Sequence, residues 1–414
     1  MDIFWDYTIM IKKIKSDASC SEAVGLWNGN YLRVLCTNFL SSFAFFLVAP
    51  LLSLYLSETF HASKDLIGLA LSGYTITLLL ARPLAGGLAD RFPRKPMLLL
   101  CLFCFLLCFG GYLLAASLLS FVLVRTLQGI PSGGFTVINN TMVLDVVAPA
   151  RRNEAIGYYG ISSNLSMAIA PMMGVWLYAT TQSYASLFWT ALAVAGLSIF
   201  VAAGIRAKPH IAFERKDPPE GFCSFLWRRG FLFGLHMLVL GCCYGALCNY
   251  LAVYSVELLH FSHGTGIFFL LLSLGLICSR LQGANALRAG RFIRHASEGL
   301  VLSSIGYGLF VLSSNLFCYF GAALLIGFGN GRLWPAFQNM SLHLAGESAQ
   351  GTAISLILSA WSLGIGLGTF IAGLLVEFQG YGCMFGVVAV LHLLGGILFF
   401  FRTRKLYKLW AMQA

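Results

Sequence analysis

The sequence predicts an all-α membrane protein: twelve membrane-spanning helices in two six-helix bundles, with both ends in the cytoplasm. Three observations predict it. Of 414 residues, 58% are hydrophobic and only 10% are charged, against roughly a quarter in ordinary soluble domains. The apolar residues fall into runs of about 20, the length a helix needs to cross the hydrocarbon layer. The chain also matches itself between its two halves.

The apolar runs place the first six spans at 32–56, 66–86, 97–117, 119–144, 154–179 and 185–205. The second six fall at 230–256, 265–284, 298–317, 319–343, 351–376 and 381–401. Residues 1–31 form an N-terminal tail, 206–229 a polar linker rich in Pro, Lys and Arg, and 403–414 a C-terminal tail, leaving bundles at 32–205 and 230–402. The start of the chain lacks the apolar core of a secretory signal, and Met10 offers an alternative start.

Basic residues set the orientation. Lys12, Lys13, Lys15, Arg33, Arg91, Arg94, Lys95, Arg151, Arg152, Arg288, Arg291, Arg294, the linker and the last tail share one side, and Lys64 stands alone opposite. Excess Lys and Arg mark the cytoplasmic side. The same alternation accounts for the net charge of +11 without a nucleic-acid partner. Twelve cysteines include Cys101, Cys104 and Cys108, but they sit in an apolar run without histidine partners. Cys there acts as a small apolar residue, so no metal and no cofactor is expected.

The repeat is specific. Arg82 precedes Arg280 by 198 residues, and at that offset Gly129 matches Gly327, Gly133 matches Gly331 and Met142 matches Met340. Internal repeats of this kind are typical of secondary transporters, in which two bundles rock about a central site.

The loop after the second span reads Gly86-Gly87-Leu88-Ala89-Asp90-Arg91-Phe92-Pro93-Arg94-Lys95. It resembles the signature loop G-x-x-x-D-R-x-G-R-R/K of the major facilitator superfamily, with proline where the pattern has glycine. Gly86 permits a close helix approach and Asp90 suits a helix N-terminus. Arg125-Thr126-Leu127-Gln128-Gly129 in the fourth span is similar to the R-x-x-Q-G motif of the superfamily's proton-coupled antiporters. Ala170-Pro171-Met172-Met173-Gly174 in the fifth partly matches their G-P-x-x-G-G motif, keeping Pro171 and Gly174. The corresponding loop of the second half, Arg280 to Arg294, lacks the Asp-Arg core.

The resemblance implies that Gly86, Asp90, Arg91, Arg94 and Lys95 latch the two halves. It implies helix packing for Gly129, Pro171 and Gly174, and a cavity lined by spans one, four, seven and ten. Polar residues on those spans include Asn38, Asn139, Asn140, Tyr244, Asn249, Asn330, Arg332 and Gln338. Arg332 stands about midway along its span, where a charge is costly and marks a functional site by default. It either faces the cavity and attracts an anionic substrate or braces a glycine-weakened helix. Arg125 either couples protons or braces helices, and the asparagines either contact substrate or tie helices together. Span one offers no carboxylate, so protons would pass through Asp145 or Glu257, or a histidine such as His236 or His392 whose other reading is packing.

The resulting expectation is a secondary transporter, not an enzyme: a monomeric proton-coupled exporter of small molecules in the bacterial inner membrane, surrounded by lipid. The alternative is an uptake carrier, symporter or uniporter, for a small anionic nutrient.

Overall fold

A computed structural model of the protein describes residues 26–62, 64–206, 225–226, 230–257, 264–312, 315–346 and 349–412. The expected tail up to residue 25 and linker residues 207–224 and 227–229 lie outside them, as does the side chain of Glu257. The described residues form helices and short connections, with no strand.

Helix α1 (Gly29–Val48) starts at Asn28, whose side chain accepts from Tyr31 N. A short turn at Ala49–Leu51 carries it on into Leu52–Phe60. There follow α2 (Lys64–Arg91), α3 (Arg94–Leu114), α4 (Leu118–Val146), α5 (Arg152–Thr181) and α6 (Tyr184–Ala203). A reciprocal pair, Ser117 and Ser120, caps the start of α4; such a box satisfies helix N–H groups that have no carbonyl partner. The second half has α7 (Phe231–Glu257), α8 (Gly264–Arg288), α9 (Phe292–Leu312) and α10 (Leu316–Ala345). Helical hydrogen bonding then runs over Gln350–Leu398, but Gly380, at φ 80, breaks it into α11 (350–379) and α12 (381–398). Only glycine takes that backbone conformation without strain. A five-residue π turn leads to α13 (Arg404–Ala411), which turns Tyr407 inward and leaves Arg404, Lys405 and Lys408 exposed.

Eight described helical stretches, with 350–411 counted as one, are long and apolar enough to cross a membrane. The distribution of side chains is inverted relative to a soluble protein. Leu84, Leu100, Leu114, Leu312 and Phe317 point outward, while Asn139, Gln128, Asn339 and Arg94 are buried. Outward apolar surface on this scale requires lipid in place of water.

The largest apolar core is drawn from Leu26 to Ile205, with Ile354 the one fully buried residue contributed from the second half. The remaining clusters come from residues 225–407. Packing repeats with the sequence: α4 lies on α2 and α3 as α10 lies on α8 and α9, and α1 packs on α5 as α7 packs on α11. A Cβ on Gly133 would sit 2.9 Å from the Leu78 carbonyl oxygen; one on Gly331 would sit 2.7 Å from that of Leu276. Both pairs of helices approach at backbone distance because neither position carries a side chain. Between halves, α2 crosses α11 and α8 crosses α5.

Candidate functional site

The most developed polar constellation joins the halves at the Gly86–Lys95 loop. Helix α11 begins at Ala349 with no side-chain cap and no acid in its first turn. Its free N–H groups are supplied from another helix. Asp90, at the end of α2, accepts from Gly351 N at 2.7 Å, Thr352 N at 3.0 Å and Thr352 Oγ1 at 2.9 Å. A carboxylate there meets both the orphan donors and the positive end of the helix dipole. The approach depends on two facing glycines: a Cβ on Gly86 would lie 2.7 Å from the Gly351 carbonyl oxygen.

Arg94 stands behind Asp90. Its Nη2 is 4.0 Å from the Asp90 carboxylate, its Nη1 donates to Asp145 at 2.5 Å, and its Nε donates to Ala89 O at 3.1 Å. It also reaches Gln350 Oε1 at 3.4 Å, so one buried guanidinium links α2, α4 and α11. Asp145 therefore belongs to this clasp. Pro93 caps α3 in an extended conformation (φ −58, ψ 123), which is how the loop accommodates proline in the pattern's glycine position. Arg91 is exposed and Lys95 half-buried beside it.

A second pair of bonds lies one to two turns deeper and follows the repeat. Arg82 donates to Leu358 O at 2.6 Å and to the Ser362 hydroxyl. Its repeat mate Arg280 donates to Gly157 O at 3.4 Å, with the guanidinium laid against Gly160. Both arginines are buried, and neither forms an ion pair among the described residues. Sequence reading used them only as repeat markers; their signal was a charge deep in an apolar span.

Between the halves, Gln338 on α10 donates to Asn140 on α4 at 2.9 Å. These two are again 198 residues apart, so they meet where the repeat axis passes. Trp334 holds Gln338 from the side at 3.0 Å. Asn38 donates to Ser162 and Ser163 at 2.7 and 2.6 Å and accepts from Tyr159, which accepts from Asn139 at 3.1 Å. This ties α1, α4 and α5. Asn249 bonds Thr369 at 2.9 Å, joining α7 to α11. Gly129 and Gly174 lie against the backbones of α2 and α1, and Pro171 lies within α5.

Arg125 donates to Gln128 at 2.7 Å and to Tyr112 at 3.4 Å, and its guanidinium lies 4.3 Å from the Tyr74 ring centroid. It forms no ion pair among the described residues, and its Nε has no partner there. His236 is packed between Phe337 and Phe399, and His392 bonds Ser303 at 2.6 Å.

Arg332 takes its partners from its own half. Its guanidinium pairs with Glu298 on α9, donates from Nη2 to Gln282 Oε1 on α8 at 2.9 Å and lies over Phe328. It is directed within the second half and not toward the helices of the first. A guanidinium in an apolar span turns to the nearest carboxylate, here Glu298, the first residue of the expected ninth span. Among the described residues no group of three or more His, Cys, Asp or Glu could hold a metal.

Two pseudo-equivalent sets of membrane helices, clasped through buried ions on one side, define a multi-pass integral membrane transporter and not an enzyme. The chain belongs to the Major Facilitator Superfamily, whose profile matches residues 34–298 and 297–409. It is 21% identical over 375 residues to the staphylopine export protein of Staphylococcus aureus, covering 84% of this chain and 90% of that one. Its fold is similar to the crystal structure of the human organic anion transporter MFSD10 (TETRAN), at TM-score 0.73 and 20% identity, covering 90% of this chain and 99% of that one. It is also similar to the superfamily transporter FucP in the outward conformation, at TM-score 0.75 and 14% identity, covering 91% and 99%.

Proposed function

We propose that the protein exports a small molecule by alternating access, driven by protons entering in exchange. In this reading twelve segments cross the membrane as bundles at 32–205 and 230–402, both ends are cytoplasmic, and the chain works as a monomer. One observation carries it: the bonds of Asp90, Arg94, Arg82, Arg280 and Gln338 across the halves gather in the helix portions nearest the basic loops. That pattern suits a carrier closed on its cytoplasmic side and open opposite. Releasing it requires each ion to find new partners, which gives two discrete states in place of a continuum.

The clasp is the latch: Asp90 caps α11 only in the closed state, and Arg94 with Asp145 holds Asp90 in place. The cavity would lie above it, between Asn38, Asn139 and Asn249. The Arg125–Gln128–Tyr112 network is the proposed proton-sensitive element, since the R-x-x-Q-G pattern supplies a buried cation with an unused donor. The export direction is supported by the staphylopine export protein.

A second reading, an anion carrier, is favoured by the name of the MFSD10 structure and by buried Arg82 and Arg280, which have no carboxylate partner among the described residues. Inside-out vesicles with an acidic lumen and labelled candidate compounds separate the readings. Proton-driven export predicts accumulation that collapses when the gradient is dissipated, and that Arg125→Gln abolishes while leaving downhill exchange. Accumulation confined to right-side-out vesicles would establish the uptake reading.

A further inference from the structure

Each half has a groove on its outer face, and the repeat makes the two grooves equivalent. In the first half, α2 and α3 flank α4 and enclose about 440 Å³. Its walls include Leu84, Leu88, Leu100 and Leu127, with Gly134 at its floor. In the second half, α8 and α9 flank α10 and enclose about 320 Å³. Arg332 occupies the floor position there, 198 residues after Gly134.

The lining differs completely. Arg291, Arg294 and Arg332 surround the second groove with Gln282, His295 and Glu298. Glu298 is shared: it accepts from Arg294 at 2.8 Å and pairs with Arg332. One carboxylate thus serves two guanidiniums, and Arg291 has no ion pair among the described residues. Two positive charges remain over. Two buried polar atoms also lack a partner among the described residues: the donor Nε of Arg332, and Nε2 of His295, a side chain 1% exposed and packed over Gly283. Around the groove, Leu281, Val301 and Ile305 are more than 45% exposed, so its outer rim faces hydrocarbon.

Surplus cationic charge at a lipid-facing rim is costly unless an anion completes it. An occupant must be anionic at one end and apolar at the other. We propose that the α8–α9–α10 groove binds the phosphate headgroup of an anionic phospholipid from the leaflet beside the basic loops, with Arg291 and Arg294 at its mouth and Arg332 at its floor. Basic pockets between membrane helices on that side suit such headgroups. The first-half groove, uncharged and deeper in leucine, accepts only acyl chain.

The test uses the full-length protein in neutral detergent, titrated with phosphatidylglycerol, phosphatidylcholine or inorganic phosphate. Melting temperature and native mass spectrometry are read together. Phosphatidylglycerol should raise the melting temperature and remain bound in the gas phase; the other two should do neither. The double variant Arg291→Gln/Arg294→Gln changes only exposed side chains, so it should fold and bind phosphatidylglycerol about 25-fold more weakly, roughly fivefold per arginine. Arg402→Gln/Arg404→Gln, on the same side but away from the groove, should bind it normally. Equal weakening in both variants would mean a diffuse charge effect and overturn the site. So would an unchanged response in the first variant, and inorganic phosphate reproducing the shift would overturn the lipid assignment.

Discussion

The two halves share a scaffold and have divided the chemistry between them. At the repeat position of Asp90 the second half carries Arg288, and the helix ends they face explain the exchange. Helix α11 has no acid in its first turn and takes its cap from Asp90. Helix α5 has Glu154 in its own first turn, buried and held by Arg151 at 3.1 Å, and needs no outside carboxylate. The grooves show the opposite trade: Gly134 leaves the first half apolar, and Arg332 makes the second polar. Backbone packing tolerates no such divergence, as the matching Gly133–Leu78 and Gly331–Leu276 contacts show. Symmetry survives where main chains touch and is lost where side chains face solvent, lipid or a partner helix end.

Asp90 offers the sharpest way to break this comparison. Asp90→Asn keeps the shape but replaces one acceptor oxygen with a donor facing N–H groups. Hydrogen bonds to a charged group contribute about 1.5–3 kcal/mol each, so the closed state should weaken by roughly 100-fold or more. Turnover should fall at least about tenfold with substrate affinity nearly unchanged, whereas Arg288→Gln should alter neither. Equal effects in a transport assay would mean that the helix-end asymmetry does not matter.

Arg332 comes next. Arg332→Gln leaves Glu298 with Arg294 alone, and because Glu298 is about a third exposed the cost is reduced by solvent, to about 1–2 kcal/mol. The melting temperature in detergent should drop by a few degrees and recover most of the loss in Arg332→Gln/Glu298→Gln. Anionic and neutral substrates should lose transport equally. A selective loss of anions would return Arg332 to the cavity and undo the groove comparison.

The smallest effect belongs to the symmetry-axis bond. Hydrogen bonds between membrane helices average about 0.6 kcal/mol, so Asn140→Leu/Gln338→Leu should change turnover less than about threefold. A larger change would show that these amides contact substrate.

Much of this was legible in the residues. Charge-poor apolar runs required membrane helices, and Gly86, Asp90 and the 198-residue offset pointed to a transporter of this superfamily, because spacing along one chain is a sequence property. Partners were not legible. For Arg332 the sequence leaves the cavity-facing and the bracing readings both open, since 3.6-residue periodicity in a helix buried on most sides does not say which neighbour a side chain meets. Asp145 reads from the sequence as one of several proton-carrier candidates, and only the packing of α3 beside α4 puts Arg94 2.5 Å from it. Arg82 and Arg280 were visible as a repeat, yet their bonds run to α11 and α5, across the halves. Local composition thus determined the solvent, the helices and the family. The choice of partner for each buried charge was left to tertiary structure, because a charge in lipid is satisfied by whatever group the packing brings within reach.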